Sequence, residues 1–243
     1  MLLAVAIAAA AATGHASGGR KAPLPSAREV CDFEDDVAAW LVCRWEGEMP
    51  LSKEMRVDYE TKFATAEVDP ERRAEVEQII TRMMRDRARY EAVSAKTGVP
   101  WYVIAVIHQM EREGDFRCHL HNGDPLRART VQEPKGRPVA GRPPFAWDVS
   151  AIDALGYQGF DAWHDWTAGG MLYKIEAFNG FGYRSRGIAS PYLFSATQHY
   201  SRGKYTSDGH FNPDAVSDQI GAAAILRRMA DQALIEIPKG TAN

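Results

Sequence analysis

Residues 98–112 read GVPWYVIAVIHQMER, and this stretch decides the fold. Pro100 is well placed for the first turn of a helix, and the residues after it are almost all apolar. Ile104, Ile107 and Glu111 share one stripe of that helix, so a carboxylate stands at the C-terminal end of an otherwise apolar face. Burial and the negative end of the helix dipole both disfavour an ionised carboxylate there. The stretch therefore predicts a buried helix that ends in a proton donor, Glu111.

Helical spacing continues on both sides of this stretch. Upstream, apolar residues at intervals of three and four predict a long helix from Pro70 to about Lys96, which Thr97 and Gly98 end. Downstream, helical patterns recur at 147–155, 170–178, 190–200 and 212–234. The fold class predicted is therefore mainly α-helical.

The helical period stops after Gly114, where an Asn122-Gly123 turn signal predicts a small β-hairpin followed by an extended loop. Asp124 follows this turn and is the candidate for a second carboxylate near Glu111, with Asp115 as its competitor. The alternative for Asp124 is a turn residue that caps its own backbone. The hairpin is the one β element that the sequence predicts.

Length and composition narrow the classes of function. The chain has 243 residues, which suits one domain with additions or two small ones. A net charge of −3 argues against a protein whose whole surface binds nucleic acid, and there is no GxGxxG, GxxxxGK[ST] or GxSxG motif. The longest uncharged apolar run, at 1–13, is shorter than the roughly 20 residues that a membrane span needs. We therefore expect no nucleic-acid partner and no stable membrane insertion.

Two segments in this order resemble the lysozyme superfamily, nearest to lytic transglycosylases and goose-type lysozymes. They are the helix that ends in Glu111 and the later segment EAFNGFGY at 176–183. The resemblance implies a lysozyme-like helical domain with a small β-hairpin beside the active-site cleft, and it makes Glu111 the catalytic acid. It also implies that Phe178, Asn179 and Gly180 line the sugar cleft. Arg112 stands where the family usually has serine.

The hairpin and the second segment supply the other candidate site residues. Asp124 and Thr130 are similar to the Asp and Thr of phage-type lysozymes, which stand six residues apart after the catalytic Glu. Glu176 is either a further cleft carboxylate or a structural ion-pair residue. Tyr183 belongs to a group of aromatic residues that either stack on sugars or pack in the core. The predicted substrate-binding residues are thus Thr130, Glu176, Phe178, Asn179, Gly180 and Tyr183.

The resemblance implies a peptidoglycan glycosidase that cuts the β-1,4 bond between N-acetylmuramic acid and N-acetylglucosamine. Glu111 would protonate the glycosidic oxygen, while Asp124 positions water or stabilises the cation and Thr130 orients it. Without Asp124, a transglycosylase that forms an anhydro product is favoured over a hydrolase. The stretch 117–142 holds six Arg or Lys against two acids, which could attract the anionic peptidoglycan strand. Chitin is the other glycan considered.

A metal site is the rival interpretation of the same region. Zinc-binding side chains fall within 17 residues, but no HExxH or CxxC spacing is present, so we predict no metal and no cofactor. These side chains are His108, Glu111, Cys118, His119, His121 and Asp124. A zinc-dependent cell-wall peptidase or amidase is the enzymatic alternative, and a non-catalytic peptidoglycan-binding protein is the alternative from another class.

The N-terminal region predicts export and a separate acidic segment. Residues 1–16 are typical of a signal peptide, which implies the periplasm or the extracellular space, and residues 17–27 are typical of a linker. Residues 28–69 hold 12 acids against 5 Lys or Arg and form an acidic helical extension, a candidate for binding a protein partner. The lysozyme-like catalytic domain follows at 70–237. Export would allow one disulfide, with Cys31 and Cys43 as the local pair and Cys118 left as a free thiol.

Overall fold

The computed structural model describes residues 49–207 and 210–240. The predicted signal peptide, the linker, residues 28–48 of the acidic extension and the Cys31–Cys43 pair lie outside the described residues. Cys118 is buried and is a free thiol. The described residues from Leu51 onward belong to one compact unit.

Helices dominate this unit, and the one sheet among the described residues has two antiparallel strands. The mainly helical fold class is therefore confirmed. A short 3₁₀ helix lies at Arg184–Arg186. The elements are α1 (Lys53–Thr65), α2 (Arg73–Arg85), α3 (Arg87–Thr97), α4 (Trp101–Arg112), α5 (Trp147–Tyr157), α6 (Ala168–Asn179), α7 (Pro191–Phe194), β1 (Lys204–Ser207), β2 (His210–Asn212) and α8 (Ala222–Asp231). None of the helices in the described ranges is long and apolar enough to span a bilayer.

The centre of the fold is α4, the helix predicted from residues 98–112. All side chains of 102–108, together with Met110, are buried, because α4 is covered by α3, α6 and α8. Pro100 precedes the first turn, where its missing N–H costs no hydrogen bond. Glu113 takes a left-handed conformation, φ 53°, and ends the helix. The polar end of α4 thus lies at the edge of the core.

The long helix predicted from Pro70 to Lys96 is two helices, α2 and α3, separated at Asp86. Each of them contacts α4, and the break redirects the chain so that Ile79 of α2 and Val93 of α3 both reach the core. The predicted end is confirmed: Gly98 adopts φ 73°, which glycine tolerates and other residues rarely do.

The β-hairpin predicted after Gly114 is reduced to a single antiparallel bridge between Cys118 and Pro125. Proline has no N–H to donate, so Pro125 and the four prolines between 134 and 144 cannot extend a ladder. The real sheet, β1–β2, lies at 204–212, where the sequence analysis places the start of a long helix. Asn212 accepts a hydrogen bond from the Asp214 N–H and so caps a turn rather than a helix.

Two predicted helices are also shorter than their patterns suggest. The helix predicted at 190–200 ends at Phe194, and the helix predicted at 212–234 begins only at Ala222. The segment between these two helices is not helical, because Gly221 packs on the end of α7. There the Gly221 N–H donates a hydrogen bond to the Ser195 carbonyl oxygen. This close crossing explains both early boundaries.

Residues 51–69 belong to the same compact unit as the rest of the described chain, although the sequence analysis grouped them with the acidic extension. α1 packs along α6 and buries Tyr59 and Phe63. A side-chain hydrogen bond from Ser52 caps its first turn. Residues 53–65 therefore pack directly against the helical region that begins at the predicted boundary, residue 70.

Gly221 provides a test of the crossing between α7 and α8. A Cβ at this position would lie 2.5 Å from the Leu193 carbonyl oxygen and 2.7 Å from the Ser195 nitrogen, both of them backbone atoms. We expect Gly221→Ala to lower the free energy of unfolding by more than about 2 kcal/mol, measured by urea denaturation.

Gly156→Ala is the matched control, since its Cβ would meet only Asp161 Oδ2 at an ordinary 3.6 Å. Gly156 lies within α5, so alanine there should be neutral or stabilising by up to about 1 kcal/mol. Equal effects of the two changes would contradict the close crossing.

Candidate active site

Glu111 lies in the last turn of α4, half-buried, where the helix reaches the edge of the core. Its Oε1 accepts a hydrogen bond of 2.9 Å from the hydroxyl of Tyr192 on α7. Tyr192 is buried, and burial together with the charge of Glu111 raises its pKa well above the ordinary value. The tyrosine therefore keeps its proton and remains a hydrogen-bond donor that orients the Glu111 carboxyl group.

Opposite influences act on the proton of Glu111. Partial burial and the C-terminal end of α4 favour the protonated acid, whereas the hydrogen bond from Tyr192 favours the carboxylate. The contact between Tyr192 and Glu111 joins residues 81 positions apart, so no local sequence pattern predicts it.

The turn at Asn122 and Gly123 is seated directly on the end of α4. A Cβ on Gly123 would lie 3.2 Å from both the Glu111 carbonyl oxygen and Arg112 Cδ. Gly123 also adopts φ 77°, so both the space and the backbone conformation favour glycine. The predicted turn and the predicted acid are therefore neighbours.

Asp124, the predicted second carboxylate, is engaged in holding its own loop. Its Oδ2 accepts hydrogen bonds from the Val131 N–H at 2.8 Å, the Gln132 N–H at 3.1 Å and the Asn122 side chain at 3.2 Å. These contacts match the alternative prediction for Asp124, a turn residue that caps its own backbone. All three donors bind one oxygen of the carboxylate that was predicted to position water.

Thr130 and Asp115 are also committed to local structure. The buried hydroxyl of Thr130 donates to the Pro134 carbonyl oxygen and accepts from the Arg137 N–H at 2.9 Å. Asp115, the competitor for the second carboxylate, pairs with Arg117 at 2.7 Å. This pair lowers the pKa of Asp115 to about 2, which leaves the group ionised and unable to donate a proton.

Glu176 lies in a buried polar cluster between α1 and α6. Its Oε2 accepts a hydrogen bond from the Tyr59 hydroxyl and lies 3.3 Å from an Arg184 guanidinium nitrogen. Burial raises the pKa of Glu176, and Arg184 opposes this shift. Glu176 was predicted to be either a cleft carboxylate or a structural ion-pair residue, and its contacts match the second role.

The rest of the predicted sugar-binding segment is divided between the core and the surface. Phe178 is buried and meets Phe160 edge to face at 5.9 Å, and Gly180 caps α6 with φ 89°. Asn179 is exposed. Tyr183 is buried, and its hydroxyl accepts from the Tyr205 N–H of β1 at 3.1 Å, so it fixes the small sheet.

The three histidines of the rival zinc interpretation are held by separate hydrogen bonds. His119 Nε2 lies 2.7 Å from the Ala128 carbonyl oxygen, so it donates, and its Nδ1 accepts from the Ser150 hydroxyl at 2.8 Å. His121 binds Asp153 at 2.9 Å, while His108 binds the Tyr90 hydroxyl at 3.0 Å. Within residues 49–207 and 210–240, no three His, Cys, Asp or Glu side chains come together as a possible metal site.

Asp153 joins this histidine cluster to the loop, because Arg137 binds both of its oxygens, at 2.8 and 2.9 Å. His119 and His121 come from one side of the loop, and Ser150 and Asp153 from α5. The cluster therefore fastens the segment that carries the turn beside Glu111 to the helical core. The cluster thus fixes the position of that segment, and Ser150 within it is fully buried.

Comparisons with family models, with curated proteins and with solved structures find no match for this chain.

The buried histidines predict a loss of stability in mild acid. Burial lowers the pKa of His108 and of His121 to about 4, below the ordinary value near 6.5. Between these values the unfolded chain binds protons that the folded chain does not, so stability is complete above pH 6.5 and falls as the pH drops toward 4. Urea denaturation at pH 7 and 5 should show a loss of about 2 kcal/mol per histidine.

His108→Phe should remove about half of the loss in stability that the two histidines cause between pH 7 and pH 5. This holds whatever the change does to the free energy of unfolding at pH 7. The control is His164→Gln, because His164 is exposed and should leave the pH dependence unchanged. A His108→Phe protein with the wild-type pH dependence would contradict the assignment.

Proposed function

We propose that this protein is a peptidoglycan glycosidase that cleaves the β-1,4 bond between N-acetylmuramic acid and N-acetylglucosamine. Glu111 is its general acid, and the reaction is of the lytic transglycosylase kind. The observation that carries the proposal is the Glu111 carboxyl group at the end of a buried helix, oriented by the Tyr192 hydroxyl at 2.9 Å. Export to the periplasm or the extracellular space is part of the proposal.

The reaction needs only one carboxyl group. Glu111 gives its proton to the glycosidic oxygen, the C1–O bond breaks, and the muramic acid ring becomes oxocarbenium-like. The 6-hydroxyl of the same sugar then bonds to C1, and the Glu111 carboxylate takes the hydroxyl proton. The products are a free 4-hydroxyl on glucosamine and a 1,6-anhydro ring, and Glu111 is again protonated.

The contacts of the other carboxylates favour this outcome over hydrolysis. A hydrolase that uses two carboxyl groups needs the second one available to activate water or to stabilise the cation. Asp124 accepts three hydrogen bonds from its own loop, and Asp115 is paired with Arg117. These contacts support a mechanism that uses neither carboxylate.

Hydrolysis by a muramidase mechanism is the second candidate. It is supported by the seating of the Gly123 turn against the Glu111 backbone, where an added Cβ would lie 3.2 Å from the carbonyl oxygen, because Asp124 is the next residue of that turn. A shift of the loop on substrate binding would then be needed to release the carboxylate. A zinc peptidase, a chitinase and a non-catalytic binding protein are the remaining alternatives, and product analysis separates them.

Glu111→Gln tests the acid, because the change keeps the shape of the side chain but removes the proton. We expect release of soluble fragments from purified sacculi to fall by a factor of about 10² to 10⁴, while binding to sacculi persists. The matched control is Glu113→Gln, which removes an exposed carboxylate two residues further on and should leave the rate unchanged.

A Glu111→Gln protein that solubilises sacculi at the wild-type rate would overturn the assignment. A wild-type protein that binds sacculi and releases nothing would instead support the non-catalytic alternative.

Asp124→Asn separates the two glycosidase mechanisms. Asparagine retains an oxygen that can accept the loop N–H bonds, so a transglycosylase should keep most of its rate and a hydrolase should lose most of it. Mass spectrometry of the released muropeptides gives the independent readout. Anhydro ends are expected; reducing ends would indicate hydrolysis, and cleaved peptides would indicate a peptidase.

A further inference from the structure

Two strongly exposed apolar side chains lie on the loop between α4 and α5. Val131 is 69% exposed and Val139 is 66% exposed, the two highest values among the large hydrophobic residues that the structure describes. Single exposed valines are common, but two within nine residues of one loop form a local apolar surface. We call residues 127–142 the basic loop.

The basic loop is fastened so that it holds these valines outward. The Thr130 N–H donates to the Arg137 carbonyl oxygen and the Gly136 N–H donates to the Thr130 carbonyl oxygen, both at 2.9 Å. Asp124 binds the N–H of Val131, and Arg137 binds Asp153 of α5. Val131 lies within this closed turn and Val139 follows it by two residues, so both are carried by an anchored stretch of backbone.

The basic loop also carries exposed positive charge. Arg127 and Arg142 are exposed, and among the described residues no carboxylate pairs with either of them. Lys135 is 60% exposed at its side chain and lies 3.9 Å from Glu133, a distance at the limit of an ion pair. The whole chain carries −3, so this cationic surface stands out from an acidic protein.

We propose that the basic loop docks the protein on the surface of an anionic lipid bilayer. The two valines enter the headgroup region, and Arg127 and Arg142 pair with lipid phosphates. Cations and apolar groups side by side are what an anionic bilayer surface rewards, since it offers both negative charge and an apolar layer beneath. A soluble polyanion such as a glycan strand would attract the arginines but would gain nothing from the valines.

Binding to vesicles tests this docking with the full-length protein. In a sedimentation assay, vesicles of equal parts phosphatidylglycerol and phosphatidylcholine should carry the protein down at low salt, whereas pure phosphatidylcholine should not. Val131→Ser with Val139→Ser should weaken binding by at least about tenfold. Arg127→Gln with Arg142→Gln should weaken it by a similar factor and reduce its dependence on salt.

The matched control is Val57→Ser with Val216→Ser, two valines that are each 54% exposed elsewhere in the unit. These changes should leave vesicle binding unchanged, and circular dichroism should show that all variants are folded. Three results would overturn the proposal: no sedimentation with anionic vesicles, equal loss in the control variant, or arginine-dependent binding to sacculi without any binding to vesicles. The last result would identify the loop as a site for an anionic polymer.

Discussion

The burial of α4 is the constraint on which the rest of the structure depends. A helix in which 102–108 and Met110 are all buried must be covered by other helices on every side. α3, α6 and α8 provide this cover, and each of them is placed by its contact with α4. The helix becomes polar near its C-terminal end, where Gln109 and Glu111 are both partly exposed, so Glu111 meets solvent at the edge of the core. The position of the acid follows from the packing of the helix.

The chemistry proposed for Glu111 depends on contacts made far away in the chain. Tyr192 lies on a helix of four residues, which is too short to be stable alone and is held by its neighbours. Gly221 packs on its end, and Gln219 donates a hydrogen bond of 2.8 Å to the Met110 carbonyl oxygen in the last turn of α4. One short segment before α8 therefore fixes both partners of the Tyr192–Glu111 hydrogen bond. The packing of the folded unit thereby maintains the geometry of the Tyr192–Glu111 hydrogen bond.

The sequence predicts the parts of the fold that depend on local patterns. The bounds of α4, the Gly98 cap of α3 and the Asn122-Gly123 turn all follow from residues within one or two helical turns. The sheet at 204–212 and the late start of α8 do not follow, because Val216 and Ile220 have helical spacing although Val216 is exposed. Likewise, the charge pattern around Asp124 is the same whether its carboxylate faces a sugar or its own loop. Only the backbone N–H groups of 131 and 132 decide between them.

The polar side chains that resemble site residues in the sequence mostly hold elements together in the structure. Glu176 joins α1 to α6 through Tyr59 and Arg184, and Asp124 closes the loop beside Glu111. A buried carboxylate is costly unless several donors satisfy it, so such residues become anchors wherever a long loop or a terminal helix must be fixed. The same anchoring contacts bear on both the proposed catalysis by Glu111 and the proposed docking of the basic loop. They commit Oδ2 of Asp124 to its own loop, and they anchor the backbone of the basic loop that carries the exposed Val131 and Val139, whatever reaction Glu111 performs.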